Sequence, residues 1–279
     1  MHLSRRTART ATAVLTTGGL LTAGITAASA VEDPPPPGVD VVAANCGAAG
    51  SHWMAMRFTA DATAMRLVSN DNPGQLGARL VSYPGYEQGP GRTLLMTAAA
   101  DLRTPVTVVL EVTTGDGRSA QVPVKFSTGL RQMAGDFGID FMVGSDASNT
   151  LAGGPDEDVL CGGNGHDVLA GGPGDDLIFG GAGNDFLFSG EGADVAFGEA
   201  GHDGIHGEEG DDFLFGGPVG SGTGDNDSIN GGPGQDVVAA VYGGDKVYGG
   251  EDADSIAVAG GARVLDRESG DRVVVTPVP

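Results

Sequence analysis

The sequence predicts an all-β protein in two parts, a small antiparallel β domain over 39–134 and a solenoid of very short strands over 135–266. Three observations carry that reading. A nine-residue step repeats through the second part, alternating β-branched runs mark the first, and no helical periodicity is visible in the first part.

The repeat is plainest in "GGNGHDVLAGGPGDDLIFGGAGNDFLF", residues 162–188. Units begin at 135, 144, 153, 162, 171, 180, 189, 198 and 207, then, after an insertion over 216–221, at 222, 231, 240, 249 and 258. Their sixth places are Asp140, Asn149, Asp158, Asp167, Asp176, Asp185, Asp194, Asp203, Asp212, Asp227, Asp236, Asp245, Asp254 and Arg263. The eighth places run from Met142 through Leu169, Leu187 and Ile229 to Leu265 and are aliphatic, with Met142 and Ala196 among them. Internal repetition at a fixed period marks a solenoid, because one three-residue strand buries too little alone and must share a core with its neighbours. Within each unit the eighth-place side chain points inward, since places seven and nine face the other way. The six-residue turn is rich in glycine, which tolerates crowded backbone and lets carbonyls approach a ligand.

Charge follows the same division. Residues 135–266 hold 26 acidic and 2 basic side chains, a net of −24, within a chain of −22. Such a segment repels nucleic acid and attracts cations. Stacked strands lie about 4.8 Å apart, so successive carboxylates repel by roughly 3 kcal/mol at an effective dielectric of 20. Cations between the turns would relieve this. Carboxylate and carbonyl oxygens in a flexible loop suit calcium better than zinc or copper; sodium or magnesium would also neutralise charge, but magnesium demands stricter octahedral geometry.

The turns "GGNGHD", "GGPGDD", "GGAGND" and "GGPGQD" resemble the RTX, or hemolysin-type, calcium-binding repeat with its GGxGxDxUx pattern. The resemblance implies a parallel β-roll in which two units make one coil and several Ca2+ ions lie between the turns of alternate units. It further implies that Asp140, Asp158, Asp167, Asp176, Asp185, Asp194, Asp203, Asp212, Asp227, Asp236, Asp245 and Asp254 supply carboxylate ligands, with turn carbonyls completing the shell. Asn149 and Arg263 break the pattern, so the two ends are expected to bind weakly or to act as caps. Residues 267–279 are read as a C-terminal cap or tail.

If two units make a coil, odd and even units build opposite sheets. The odd sheet then shows Leu177/Phe179, Val195/Phe197 and Phe213/Phe215 on its outer face, with Phe179, Phe197 and Phe215 in one column. So apolar a face is expected to be covered by the N-terminal domain, by a protein or cell-surface partner or by a second copy, a merely tolerated apolar surface being the remaining reading. Cys161 lies in the same wall, and a bridge to Cys46 would staple the first domain over it.

Residues 1–30 read as a cleavable export signal: Arg5, Arg6 and Arg9, a mild apolar stretch, then Ala28-Ser29-Ala30. The Ser4-Arg5-Arg6 start resembles a twin-arginine signal. "EDPPPPG" within 31–38 is a proline-rich spacer. No membrane span is expected in the mature chain, which is read as secreted. Within 39–134, "PVTVVLEVTTGDGRSAQVPVKFST" predicts a hairpin turning at Gly115-Asp116-Gly117, and a sandwich of immunoglobulin-like size fits the region. Catalysis is not expected. His202 and His206 fall on a turn and a strand without an HExxH motif, and the aspartate spacing is explained by the repeat. The functional expectation is a secreted calcium-binding protein with a binding or scaffolding role, a calcium-dependent adhesin or a hydrolase hidden in 39–134 being the alternatives.

Overall fold

A computed structural model describes residues 10–16, 20–26, 39–45, 52–58, 62–74, 76–81, 93–98, 102, 104–217, 225–240, 244–259, 261–268 and 270–275. All regular elements among them are β-strands. The chain forms two compact units, Met1–Leu102 with Val106–Lys125, and Arg103–Pro105 with Phe126–Pro279.

The first unit is antiparallel. Thr10–Thr16 pairs with Leu20–Thr26, two strands within the segment read as an export signal, whose flanking residues lie outside the described ones, as does the 31–38 spacer. Val39–Asn45, His52–Phe58, Thr93–Ala98 and Leu76–Val81 form a four-stranded sheet in that order. Ala62–Asn70 pairs with Val106–Thr114, which is followed by Ser119–Thr128 across the predicted hairpin. Gly117 takes φ 81°, the Arg118 N–H donates to Asp116 Oδ1 at 3.1 Å, and Thr113 Oγ1 meets Ser119 Oγ at 2.7 Å. Val106, Val108, Leu110 and Val112 alternate inward and are buried, as period-two patterning requires.

The second unit is the solenoid. Gln132–Ala134, Thr150–Ala152, Val168–Pro173, Phe186–Glu191, Gly204–Glu209, Ser228–Pro233, Lys246–Glu251 and Arg263–Val264 make the eight-stranded even sheet, every pairing parallel. The odd sheet runs in parallel from Ile139–Val143 through Val159–Asn164, Leu177–Ala182, Val195–Ala200, Phe213–Phe215, Val237–Ala240 and Ser255–Val258 to Arg272–Val275. The eighth-place side chains from Met142 to Ile256 form one narrow core between the two sheets.

Three details depart from the sequence register. Met133 joins the core, so the stack starts one unit earlier than 135. Val264, not Leu265, pairs with Val247 and packs on the core, while Leu265 is exposed; one residue is missing from that coil, and Arg272–Val275 continues the odd sheet beyond 266. The insertion falls later than 216, because the Gly216 N–H donates to Ala239 O at 3.2 Å as a first-place glycine does.

The outer wall of the odd sheet is buried along its first strands and opens further on, where Val237 is 41% exposed. Val159, Cys161, Leu177, Phe179, Val195 and Phe197 are all buried. The predicted column exists: Phe179 stacks on Phe197 at 5.3 Å, and Phe197 meets Phe215 edge-on at 6.0 Å. Phe179 and Phe197 are 6% and 5% exposed, whereas Phe213 and Phe215 are half-buried. The even sheet is the open one, with Phe186 55% exposed. Cys161 is disulfide-bonded and fully buried; Cys46, its expected partner, lies outside the described residues. No helix among the described residues is long and apolar enough to cross a membrane.

Candidate metal centre

Each aspartate of the repeat follows a glycine turn and precedes a strand, so parallel stacking places the sixth positions one above another. Asp140, Asp158, Asp176, Asp194, Asp212, Asp236 and Asp254 fall on the odd edge; Asp167, Asp185, Asp203, Asp227 and Asp245 fall on the even edge above Asn149. All twelve predicted ligand residues are buried, none more than 3% exposed.

One oxygen of each carboxylate has a structural task. Asp176 Oδ1 accepts the backbone N–H of Asp158 at 2.8 Å, and Asp194 Oδ1 accepts that of Asp176 at 2.7 Å. On the other edge Asp185 Oδ1 accepts the Asp167 N–H at 2.8 Å and Asp203 Oδ1 that of Asp185 at 2.9 Å. Across the insertion the pattern persists, with the Asp203 N–H donating to Asp227 Oδ1 and the Asp212 N–H to Asp236 Oδ1, both at 2.9 Å. The aspartate thus ties each coil to the preceding one.

The second oxygen has no such partner. Oδ2 of Asp158, Asp167, Asp176, Asp185, Asp203, Asp212, Asp236 and Asp254 is buried without a hydrogen-bond donor. Buried polar atoms are rarely left so, and a row of them calls for a ligand. Around these oxygens lie further acceptors. A methyl group added to Gly180 would come 2.7 Å from Gly198 O and 2.8 Å from Asp185 Oδ2, and the first-place glycines Gly153, Gly162, Gly171 and Gly231 are equally crowded by a carboxylate and the next coil's carbonyl. Space at these places favours glycine, although Ser189 and Ala240 hold first places elsewhere in the stack. At the second and fourth turn places it is favoured by conformation, as at Gly163 (φ 102°) and Gly165 (φ 120°), although Asp156, Glu199, Glu208 and Asp252 take positive φ at such places too.

Electrostatics agree with the geometry. Burial, reinforced by the Asp194 and Asp158 charges, pushes the Asp176 carboxyl up to about 9. Burial raises Asp158, Asp203 and Asp236 to about 8, Asp212 and Asp227 to about 7 and Asp185 to about 6, each opposed by the backbone hydrogen bond it accepts. Asp167 and Asp254 are raised by the same cause. Burial thus disfavours the ladder as a row of bare anions.

Among the described residues no three His, Cys, Asp or Glu side chains converge to hold a metal, so backbone carbonyls must complete any shell. An all-oxygen set of carboxylate and carbonyl fits a hard cation. His166 and His202 are spent on the scaffold, their Nδ1 atoms accepting the N–H groups of Asn184 and Asn226, both at 2.8 Å.

Sequence periodicity missed some participants. Asp271 Oδ1 accepts the Asp254 N–H at 3.2 Å and Asp266 Oδ1 the Gly249 N–H at 2.8 Å, both 17 residues on, a spacing that a strict nine-residue count skips. Ser189 holds a first place normally given to glycine, and its Oγ is buried without a partner. A gap-tolerant count of the repeat would have found Asp271.

The sequence family described as the RTX calcium-binding nonapeptide repeat (4 copies) matches residues 134–169, 162–196, 188–218, 220–241 and 230–265. No curated protein matches the chain. The matches coincide with the stacked coils and their aspartate ladders, a structural rather than a catalytic module. The solenoid is an RTX-type calcium-binding nonapeptide repeat domain.

Proposed function

We propose that this protein is a secreted, non-enzymatic calcium-binding scaffold whose acidic repeats fold around several Ca2+ ions. The observation that carries the proposal is the row of eight buried Oδ2 atoms without a hydrogen-bond donor, seven of which share the space beside a first-place glycine with a carbonyl of the next coil. Oxygens so placed repel unless a cation lies among them, and calcium tolerates the irregular, all-oxygen shells that such turns offer. The ligand residues are the twelve sixth-place aspartates, with first-place carbonyls such as Gly198 O contributing beside Asp185. Bound calcium would supply charge neutralisation and cross-linking between coils.

Export through a signal in residues 1–30 fits this role, because extracellular calcium is abundant and sites of that class bind at about 0.1–1 mM. At ten times its dissociation constant each independent site adds roughly 1.4 kcal/mol, so several sites would decide whether the solenoid folds. Under the alternative adhesin reading, the aromatic cluster at Phe197 and Phe215 would form part of a contact surface.

Equilibrium dialysis of the metal-stripped protein tests the proposal. It predicts several calcium ions per chain, with fewer bound by Asp185→Asn/Asp203→Asn and a clear preference over magnesium. A protein that binds none, or binds magnesium equally well, would overturn it.

A further inference from the structure

Asn149 occupies a sixth place, yet its side chain behaves unlike its neighbours. Its Oδ1 is turned to two donors of Ser145, accepting the backbone N–H at 3.0 Å and the hydroxyl at 3.0 Å. Its Nδ2 is turned into the turn, where four oxygens surround it: Ser145 O at 3.1 Å, Ala147 O, Gly162 O at 3.4 Å and Asp167 Oδ1 at 2.8 Å. Three are backbone carbonyls and one is a carboxylate of the next coil. The place is the counterpart of the carboxylate oxygen elsewhere. A methyl group added to Gly144 would come 2.9 Å from Asn149 Nδ2 and would also meet Gly162 O, just as one at Gly180 meets Asp185 Oδ2 and Gly198 O.

We infer that the amide of Asn149 is a built-in substitute for a cation, so that the coil at 144–152 closes without calcium and the calcium-dependent part of the even ladder begins at Asp167. The inference rests on the calcium reading above. An amide brings two hydrogens to a ring of oxygens that would otherwise repel, whereas a carboxylate there brings none. Both lone-pair directions of Oδ1 are spent on Ser145, so the residue has no oxygen left to offer a metal. The backbone joins in, since the Asn149 N–H donates to Asp167 Oδ1 at 2.7 Å. The result is a satisfied coil at one end of the stack, on which metal-dependent coils can form.

The experiment uses the full-length protein and its N149D variant, stripped of metal and then dialysed against calcium chloride. Restoring the carboxylate creates the missing site, so N149D is expected to bind one calcium ion more than wild type. Hydrogen exchange on wild type in chelator supplies the second readout, with the Asn149 amide exchanging at least about tenfold more slowly than the Asp185 amide. An equal or smaller calcium count for a folded N149D overturns the inference while leaving the calcium reading intact. If N149D does not fold, wild-type exchange decides, and an Asn149 amide no slower than that of Asp185 overturns it. Wild type that binds no calcium overturns both.

Discussion

The two units of this chain solve the same problem with different means. Among the described residues of the first, charge stays outside: Val108, Leu110 and Val112 are buried, while Arg66 and Glu111 pair on the surface at 2.6 Å. In the second, the core is one side chain wide and the carboxylates that flank it are buried. Among the described side chains of the antiparallel strands no carboxylate is buried. The coils of the solenoid bury theirs, bringing like charges together and leaving one oxygen of many aspartates without a donor. On the calcium proposal, the difference teaches that strand formation alone does not make a fold self-sufficient and that an added ligand is part of the folding code.

Substitutions can sharpen that contrast. The largest effect is expected from Leu187→Ala, which opens a cavity in a core with no second layer; about 2–5 kcal/mol should be lost in a calcium-saturated denaturation experiment. Gly180→Ala comes next. Its methyl would sit 2.7 Å from Gly198 O and 2.8 Å from Asp185 Oδ2, so the coil must shift and calcium dialysis should show at least one fewer ion. A wild-type count for this variant would break the link between the first-place glycine and the metal.

Acid should act in opposite directions with and without metal. In the absence of calcium the folded carboxyls, raised to between about 6 for Asp185 and about 9 for Asp176, bind protons more tightly than unfolded ones near 3.8. The stability they contribute when protonated is fully present below 3.8 and is lost as pH rises through 6–9. Metal-free protein should therefore melt higher at pH 5 than at pH 8. With calcium present, protons compete for the same oxygens, so calcium affinity should fall as pH drops through that interval. A metal-free melting temperature that rises with pH would contradict this. The smallest effect belongs to the first unit: Glu111→Gln removes an exposed ion pair and should cost no more than about 1 kcal/mol, with or without calcium.

Much of this architecture was legible in the sequence because a solenoid writes its geometry as a period. The glycine places, the aspartate columns and the Phe179–Phe197–Phe215 stack all follow from counting. Counting failed where the period changed. One missing residue moved Val264 into the core and put Asp271 beneath notice, and the place of the extra residues near Gly216 could be settled only by hydrogen bonding. The division of labour within each carboxylate was also invisible, since nothing in the letter D says that Oδ1 ties two coils together while Oδ2 is left without a donor. Asn149 shows the same limit, because its departure from the repeat points to a weak site or a cap without saying which, and only the oxygens around its amide distinguish them.

The most direct test of the account is far-ultraviolet circular dichroism of the full-length protein in chelator, titrated with calcium and, separately, with magnesium at neutral pH. The account predicts a cooperative gain of β signal near millimolar calcium that magnesium does not reproduce, above a baseline contributed by the first unit. A full β spectrum in chelator, unchanged by calcium, would contradict it.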